Sequence, residues 1–467
     1  MIKVFKKLFP LISKFSKYKE LAFIFVFALS LRILLLSISI YNEFDFLISD
    51  SIQYKEIASA ISVEKSYSNS LQNLEHAELI RTPGYPLFIS IFYSIFGEND
   101  ILLITMNIII NMLSIYYIFK ILIVISNRKI ANLGAFLFSV EPITISLVYY
   151  VLPQILFQFI IIFLIYTSVT IIKGEIKNNP FLLGLLLAIG TMVKPVMFYI
   201  IIPFLVGILL YSINKKFSPK KIVKIMGMTI IPIILIVGGW LYRNHLIVGY
   251  PTISHIKAVD LFYFKAPSVL AIKDRISFEE ARKIIVGDKK VWHWIKNNPS
   301  SSEIKQLESK SIFILLENYK ITIDIWIKGI INTLFGPGDG QFYGIFGKDY
   351  ISKGPLGDIF RLSIQQYYVK WLLNEPRMFL LFIYNLVYLG ILYAGLILYL
   401  FFSKAIDQEV WVSTFVLLGL LYFVLCSGGL ETYYRFRNPM IPFMVLLLAQ
   451  GWGHILFAHN ETVKIEE

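Results

Sequence analysis

The sequence places charged residues of both signs beside turn-forming residues early in the chain. Asp50 precedes the segment Arg81-Thr82-Pro83-Gly84-Tyr85-Pro86. A carboxylate can act as a general base toward a hydroxyl group, and an arginine can bind a phosphate through its planar fork of N–H donors. The two prolines and the glycine predict a rigid turn that would hold Arg81 in place. A solvent-exposed loop carboxylate is the plain alternative for Asp50, and Glu43 and Asp45 are rivals for the role of base.

Further basic residues border apolar segments in the middle and at the end of the chain. They are Lys194 before Pro195, Arg243 within residues 240–244, and Arg435 and Arg437 within residues 434–439. Cations positioned in this way can stabilise the negative charge that develops on a leaving phosphate. The alternative for basic residues at helix ends is orientation of the protein in a membrane, or contact with lipid headgroups. A joint role requires a fold that brings these residues to one place.

The elements that must position them are apolar helices. The chain has 467 residues, of which 57% are hydrophobic and 16% charged, against roughly 25% charged in soluble domains. Its apolar residues occur in blocks close to the roughly 20 residues that cross a bilayer as a helix, and this excludes a soluble globular fold. We expect an all-α integral membrane protein of about ten transmembrane helices, at residues 21–41, 101–125, 130–150, 151–172, 180–193, 195–213, 225–242, 378–402, 410–427 and 439–457.

The distribution of basic residues predicts the orientation of these helices. The net charge of +13 is concentrated beside the apolar segments rather than on a face suited to nucleic acid. By the positive-inside rule the N-terminus and the short basic loops are cytoplasmic; the basic residues concerned are Lys3, Lys6, Lys7, Lys14, Lys17, Lys19, Arg128, Lys129, Lys173, Lys177, Lys215, Lys216, Lys220, Lys221, Lys224 and Lys404. The first apolar segment is too long for a signal-peptide core, so we expect it to be retained as a helix.

This orientation divides the chain into three regions. Residues 1–248 form an N-terminal transmembrane module that includes an outer loop, 42–100, ending in an amphipathic surface helix from Pro86 to Gly97. Residues 249–377 form an outer loop region, within which 311–335 is predicted to be one interfacial helix. Residues 378–467 form the C-terminal transmembrane helices and a cytoplasmic tail.

The order of these segments resembles glycosyltransferase family 39, the protein mannosyltransferase and aminoarabinose transferase type of the GT-C superfamily. The resemblance rests on the acidic residue outside the first helix, the segment Arg81–Phe88, the segment Met192–Pro195, the segment Trp240–Asn244 with Gly249 and Ser254, and the segment Tyr434–Pro439 with Pro442. The family usually has Arg-Pro where this chain has Lys194-Pro195, and this exchange keeps the charge but loses the bidentate fork. Members often have a glutamate where this chain has Gln154, which cannot act as an acid or base.

The resemblance implies a GT-C membrane bundle and a function. The donor would be a sugar linked through phosphate to a polyprenol, and the acceptor a hydroxyl of a lipid, glycan or protein. The implied location is the outer face of a bacterial cytoplasmic membrane. Asp50 would be the catalytic base in a single displacement with inversion, and the donor phosphate would be bound by Arg243, Arg435, Arg437, Lys194 and Arg81. Tyr54 and Tyr85 could stack on the sugar, or belong to the aromatic belt at the membrane surface.

No cofactor is expected, because the six histidines show no metal-binding spacing; a divalent ion at Asp50 stays open. Two alternatives also stay open. An O-antigen polymerase or ligase also acts on lipid-linked glycans, but would lack the early acidic loop followed by the Arg81 segment. A transporter would be expected to place broken, polar-lined helices at the bilayer midplane.

Overall fold

The computed structural model describes residues 19–68, 77–174, 179–289, 291–296, 300–347, 364–402, 410–429 and 433–457. Within these ranges the chain is helical, and β pairing is limited to an isolated bridge between Ser68 and Ala77. The predicted all-α fold class is therefore confirmed. The lysines at positions 3–17, Lys177 and Lys404, on which part of the predicted orientation depends, lie outside the described residues.

The described part of the N-terminal half contains ten helices. Long apolar helices alternate with shorter ones that lie outside or between them. Their bounds are α1 Lys19–Tyr41, α2 Ser49–Glu64, α3 Gly84–Phe96, α4 Asp100–Ile125, α5 Arg128–Ser139, α6 Pro142–Leu147, α7 Gln154–Ile172, α8 Pro180–Val193, α9 Pro195–Asn214 and α10 Pro219–Val248.

The remaining described helices form a central group and a C-terminal group. The central group comprises α11 Ile256–Val259, α12 Ala266–Asp274, α13 Phe278–Val286, α14 Val291–Lys296, α15 Ser301–Glu317, α16 Tyr319–Phe335 and α17 Gly340–Tyr343. The C-terminal group comprises α18 Ile364–Tyr367, α19 Pro376–Phe402, α20 Val410–Cys426 and α21 Ile441–Phe457, with a short 3₁₀ turn, Tyr434–Arg437, before the last helix.

Six of the described helices are long and apolar enough to cross a bilayer, by length and composition: α1, α4, α7, α9, α10 and α19. Four more apolar helices, α3, α8, α20 and α21, have 10–17 residues. These helices make the chain a multi-pass membrane protein, while the predicted count of ten crossings stays a prediction. A helix is present at the segment predicted at 86–97, as α3, and its position along the membrane surface stays a prediction.

Two predicted helices are divided in the structure. The span predicted at 130–150 is two helices, α5 and α6, because Pro142 lacks an N–H and starts a new helix. The side chain of Glu141 caps α6 by accepting hydrogen bonds from the N–H of Ile143 at 3.2 Å and of Thr144 at 2.5 Å. The interfacial helix predicted at 311–335 is also wrong as a single element, because Asn318 leaves the helical conformation between α15 and α16.

The interior of the bundle is apolar with a few buried polar contacts. The last helix, α21, is buried on nearly all sides. Arg32 in α1 is fully buried, and its Nε donates to Oδ1 of Asn111 in α4 at 3.1 Å. The hydroxyl of Tyr149 donates to the carbonyl of Arg32 at 2.7 Å. These bonds connect the first helix to α4 and to the segment that leads into α7.

Candidate active site

Asp50 lies in the first turn of α2, between two arginines from distant parts of the chain. Its Oδ1 is 2.7 Å from Nη2 of Arg81, and its Oδ2 is 3.4 Å from Nη2 of Arg435. The carboxylate remains accessible, with 31% of its side chain exposed, whereas the two arginine side chains are 11% and 14% exposed. A carboxylate in the first turn is also favoured by the helix dipole. The fold thus brings together three of the residues predicted to act jointly.

The main chain around Arg81 is held by side-chain hydrogen bonds. Oε1 of Glu78 accepts from the N–H of Ile80 and the N–H of Arg81, both at 2.6 Å. The hydroxyl of Tyr67 donates to the carbonyl of Arg81 at 2.9 Å. The guanidinium itself donates from Nε to Oε1 of Gln53 at 3.0 Å. Arg81 is therefore fixed at both its backbone and its side chain before any ligand arrives.

Ser254 and His255, which follow α10, also hold the backbone just before Arg81. The N–H of His255 donates to the carbonyl of Leu79 at 2.8 Å, and Oγ of Ser254 donates to the carbonyl of Ile80. Ser254 was one of the residues on which the family resemblance rested. In the structure, the hydroxyl of Ser254 holds the backbone that leads into Arg81.

Arg243 makes its contacts away from Asp50. Its Nη1 donates to the carbonyl of Glu78 at 2.8 Å and to Oδ1 of Asn244 at 2.7 Å. Its guanidinium lies 4.7 Å from the ring centroid of Trp240. Through these contacts Arg243 holds the backbone just before Arg81 rather than the carboxylate of Asp50. Direct phosphate binding by Arg243 stays a prediction.

Gly84 lets the Arg81 turn pack directly against the end of α8. A Cβ at this position would lie 2.6 Å from the carbonyl carbon of Met192 and 2.7 Å from the N of Val193. Both are backbone atoms, which cannot move aside as a flexible side chain can. Only glycine permits this approach, and the approach brings the turn beside the residue that follows α8.

That residue is Lys194, between the ends of α8 and α9. Its Nζ lies 5.7 Å from the ring centroid of Phe157 in α7, and its electrostatic neighbours are Arg435, Asp50 and Arg81. Lys194 is therefore the third cation around Asp50. The cluster of Asp50, Arg81, Arg435 and Lys194 is called the charged cluster below.

The charged cluster shifts the pKa values of its own members. Burial alone would raise the pKa of Asp50, but Arg81 and Arg435 outweigh burial and hold that pKa below its usual range. Burial, together with repulsion from Arg435, lowers the pKa of Lys194 to about 7, against the opposing effect of Asp50. Asp50 is thus ionised at neutral pH. The charge of Lys194 responds to small changes in pH and to the number of anions bound nearby.

Arg437 points away from the charged cluster. It is 1% exposed, and it donates to the carbonyls of Thr333 at 3.3 Å, Leu334, and Gly336 at 3.2 Å. These carbonyls belong to the C-terminal end of α16, where a cation is favoured by the helix dipole. The structure gives Arg437 the position of a helix cap, and phosphate binding by it stays a prediction.

Tyr54 and Tyr85 lie beneath the charged cluster. Their rings meet edge to face with centroids 5.1 Å apart, and they are 7% and 1% exposed. The guanidinium of Arg81 lies over the ring of Tyr54, 4.9 Å from its centroid. The ring of Tyr54 therefore packs against Arg81, Tyr85 packs against Tyr54, and substrate contact by either tyrosine stays a prediction.

Sequence reasoning missed Gln53 and Glu78. Gln53 follows Asp50 by three residues, so helical spacing alone places both side chains on one face of α2. Glu78 carried no comparable signal, because a glutamate in a polar loop is ordinarily solvated. Among the residues that the structure describes, no group of three or more histidine, cysteine, aspartate or glutamate side chains is arranged to hold a metal ion.

The comparison with known families matches the middle of the chain. Residues 80–240 match the family model described as dolichyl-phosphate-mannose-protein mannosyltransferase. The matched region includes Arg81 and Lys194 but neither Asp50 nor Arg435. No curated protein matches the sequence significantly.

The fold is similar to that of solved membrane enzymes. The oligosaccharyltransferase of Archaeoglobus fulgidus in its apo form matches with a TM-score of 0.52 at 13% identity, over 97% of this chain and 52% of the other. The archaeal oligosaccharyltransferase AglB of the same organism, in complex with an inhibitory peptide and a dolichol-phosphate, matches with a TM-score of 0.50 at 12% identity, over 96% and 52%. ArnT from Cupriavidus metallidurans, bound to undecaprenyl phosphate, matches with a TM-score of 0.40 at 12% identity, over 92% and 77%.

The chain spans about half the length of the archaeal enzyme that it matches. The family match and the fold together confirm the resemblance predicted from the sequence. The class that they define is a multi-pass membrane protein with the GT-C fold.

Proposed function

We propose that this protein is a membrane glycosyltransferase that moves a sugar from a polyprenyl-phosphate donor to a hydroxyl acceptor. The observation that carries the proposal is the charged cluster, in which Asp50 meets Arg81 at 2.7 Å and Arg435 at 3.4 Å, and Lys194 interacts with all three through its charge. A base and several phosphate-binding cations are the groups that this reaction needs. The family match at residues 80–240 and the dolichol-phosphate in the archaeal complex support the same class of donor.

The charge of the cluster suits the change in charge during transfer. A glycosyl phosphodiester carries one negative charge, and the lipid phosphate released from it carries up to two, since its second pKa is about 6. Three cations against one carboxylate leave an excess of positive charge that stabilises the product-like phosphate more than the donor. Interactions that strengthen along the reaction lower its barrier.

The reaction would proceed by a single displacement. The acceptor oxygen attacks the anomeric carbon while Asp50 takes the hydroxyl proton, and the bond between that carbon and the phosphate oxygen breaks. The electron pair goes to the phosphate, which Arg81, Arg435 and Lys194 hold. Attack opposite the leaving phosphate inverts the anomeric centre. The cations already offset the phosphate charge, so the mechanism we propose uses no metal ion.

The free protein holds Asp50 in ion pairs, and the donor must loosen them. A phosphate that binds to Arg81 and Arg435 competes with the carboxylate for the same N–H donors. As these contacts transfer to the phosphate, the pKa of Asp50 rises toward its ordinary value, because the arginines are what lower it. Donor binding therefore makes Asp50 a stronger base when the acceptor is present.

We place the site on the outer face of a bacterial cytoplasmic membrane, with the N-terminus inside. The support is the positive-inside distribution of basic residues, among them Arg128, Lys129 and Lys173 at the predicted inner ends of helices. The acceptor would be a lipid, a glycan or a protein hydroxyl. On this proposal the helices α11–α17, which belong to the predicted outer loop region, would face such an acceptor.

The test is glycan and lipid-linked saccharide mass analysis of a deletion strain complemented with variants. We expect the deletion to remove one sugar type, the wild-type gene to restore it, and Asp50→Asn to leave it missing. Asp45→Asn is a matched control, because Asp45 is exposed and accepts only the local N–H of Leu47 at 2.9 Å in its described contacts. A deletion that changes no saccharide would overturn the function, and full restoration by Asp50→Asn would remove Asp50 from the mechanism.

A further inference from the structure

Three buried amide side chains gather at the start of α7. Gln154 is the first residue of the helix and Gln158 lies one turn later, while Asn438 follows the turn that carries Arg435. Nε2 of Gln158 donates to the carbonyl of Asn438 at 3.0 Å and to Oγ1 of Thr144 at 3.1 Å. Gln154 is 4% exposed, and Gln158 and Asn438 are fully buried. Gln154, Gln158 and Asn438 are called the amide cluster below.

The amide cluster contains several polar atoms without partners. Oε1 of Gln154, Oε1 of Gln158, and both Oδ1 and Nδ2 of Asn438 form no hydrogen bond within the described part of the chain. Buried polar groups are nearly always paired, and an unpaired one destabilises the folded protein. A polar ligand that reached this place would gain hydrogen bonds from these atoms.

The amide cluster borders the charged cluster. Phe157 lies three residues after Gln154, and the centroid of its ring is 5.7 Å from Nζ of Lys194. Residues three or four apart share a helix face, so Gln154 lies on the side of α7 that carries Phe157 and Gln158, one turn nearer the start of the helix. Asn438 lies at the other border of the amide cluster, three residues after Arg435. Gln154 is the most exposed member and the one closest to the outer end.

We propose that Gln154 binds a hydroxyl group of the transferred sugar and that the amide cluster thereby contributes to the choice of sugar. This inference rests on the proposed function. The unpaired Oε1 of Gln154 needs a hydrogen-bond donor, and an ionised phosphate diester has none, whereas a sugar hydroxyl both donates and accepts. A site that pairs its buried groups with a hydroxyl rejects ligands that lack it, because those groups are then left unpaired.

The experiment separates sugar contact from phosphate contact. Purified protein in lipid nanodiscs is titrated with undecaprenyl phosphate, and with undecaprenyl phosphates that carry mannose, glucose, N-acetylglucosamine or 4-amino-4-deoxyarabinose. The wild type should bind at least one glycosylated lipid more tightly than the bare lipid. Gln154→Met, which keeps the shape but removes the amide, should weaken that binding about fivefold to tenfold. Its Kd for bare undecaprenyl phosphate should stay within about twofold of the wild type, since phosphate contacts are unchanged.

Thermal stability distinguishes ligand binding from a structural role. Ligand-free Gln154→Met should melt at the wild-type temperature or above, because an unpaired buried amide has been removed. Gln450→Met is the matched control: Gln450 is also buried, at 2% exposed, but its Nε2 donates to the carbonyl of Leu446 at 2.8 Å. It should leave the preference for the glycosylated lipid intact. Gln154→Asn, a polar variant one methylene shorter, should lose the preference as Gln154→Met does.

The outcomes distinguish a failure of this inference from a failure of the proposed function. If Gln154→Met keeps the preference, or weakens bare and glycosylated lipids equally, the amide does not contact the sugar and the inference is overturned. The same holds if the wild type binds no glycosylated lipid better than the bare lipid. If the wild type does not bind undecaprenyl phosphate at all, the proposed function itself fails.

Discussion

Oδ2 of Asp50 lies 3.4 Å from Nη2 of Arg435, although 385 positions separate the two residues in the chain. Asp50 belongs to α2, the helix that follows α1, and Arg435 belongs to the turn before the last helix, α21. The site is therefore complete only when the last helix has packed into the bundle. The charged cluster depends on the whole described chain, and no single segment of the sequence contains it.

Arg435 and Arg437 should behave differently when each is replaced by alanine. Arg435→Ala removes a charged contact to the phosphate, which is worth about 1.5–3 kcal/mol or roughly tenfold to a hundredfold in kcat/KM. Its melting temperature should change little, because Arg435 is not buried in the bundle core. The measurement is the transfer rate of the purified enzyme together with its thermal melting curve.

Arg437→Ala should instead destabilise the fold, by about 2–3 kcal/mol, because three carbonyls at the end of α16 lose their donor. The loss should appear as a lower melting temperature in detergent. Binding of undecaprenyl phosphate to the folded fraction should be retained. A variant that melts normally but no longer binds the lipid phosphate would show that Arg437 contacts the donor after all.

Relative to the Lys194→Arg variant, the wild type should bind undecaprenyl phosphate more weakly as the pH rises through about 7. Lys194 is charged below its pKa of about 7 and neutral above it, so the attraction to phosphate is present at lower pH and is lost as the pH rises. Lys194→Arg stays charged throughout and should show no such loss. Since titration of the phosphate itself affects both proteins equally, the ratio of their Kd values isolates the lysine. This ratio should change roughly fivefold to tenfold between pH 6 and pH 8.5; a constant ratio would mean that Lys194 keeps its charge.

Gly84→Ala should impair catalysis, although glycine carries no functional group. The new Cβ would meet backbone atoms of Met192 and Val193 at 2.6–2.7 Å, so the turn that holds Arg81 must move away from α8. A shift of this kind should lower kcat/KM by at least about tenfold, because catalytic groups must be held to within fractions of an ångström. Gly227→Ala is the control, since nothing lies within 4 Å of its added Cβ. It should be neutral or slightly stabilising; equal effects from both variants would contradict the packing argument.

The sequence by itself determined the class of fold and provided a set of candidate charged residues that includes all four members of the charged cluster. Apolar blocks of bilayer length required membrane helices, and the first of them, α1, spans Lys19–Tyr41 where 21–41 was predicted. Asp50, Arg81, Lys194 and Arg435 each follow or precede such a block, so their depth relative to the membrane could be predicted from the positions of the helices. Residue type and position along the chain were sufficient for that much.

Only the tertiary structure decided which cations face Asp50. Arg435 and Arg437 are two residues apart, and sequence reasoning gave them the same role. They lie in a 3₁₀ turn, where about three residues complete one revolution, so side chains two positions apart point in different directions. One reaches Asp50 and the other the end of α16, while Arg243 is turned toward Glu78. The direction of a side chain at a helix end depends on the local backbone conformation and on the groups that pack around it. Neither can be determined from the order of residues.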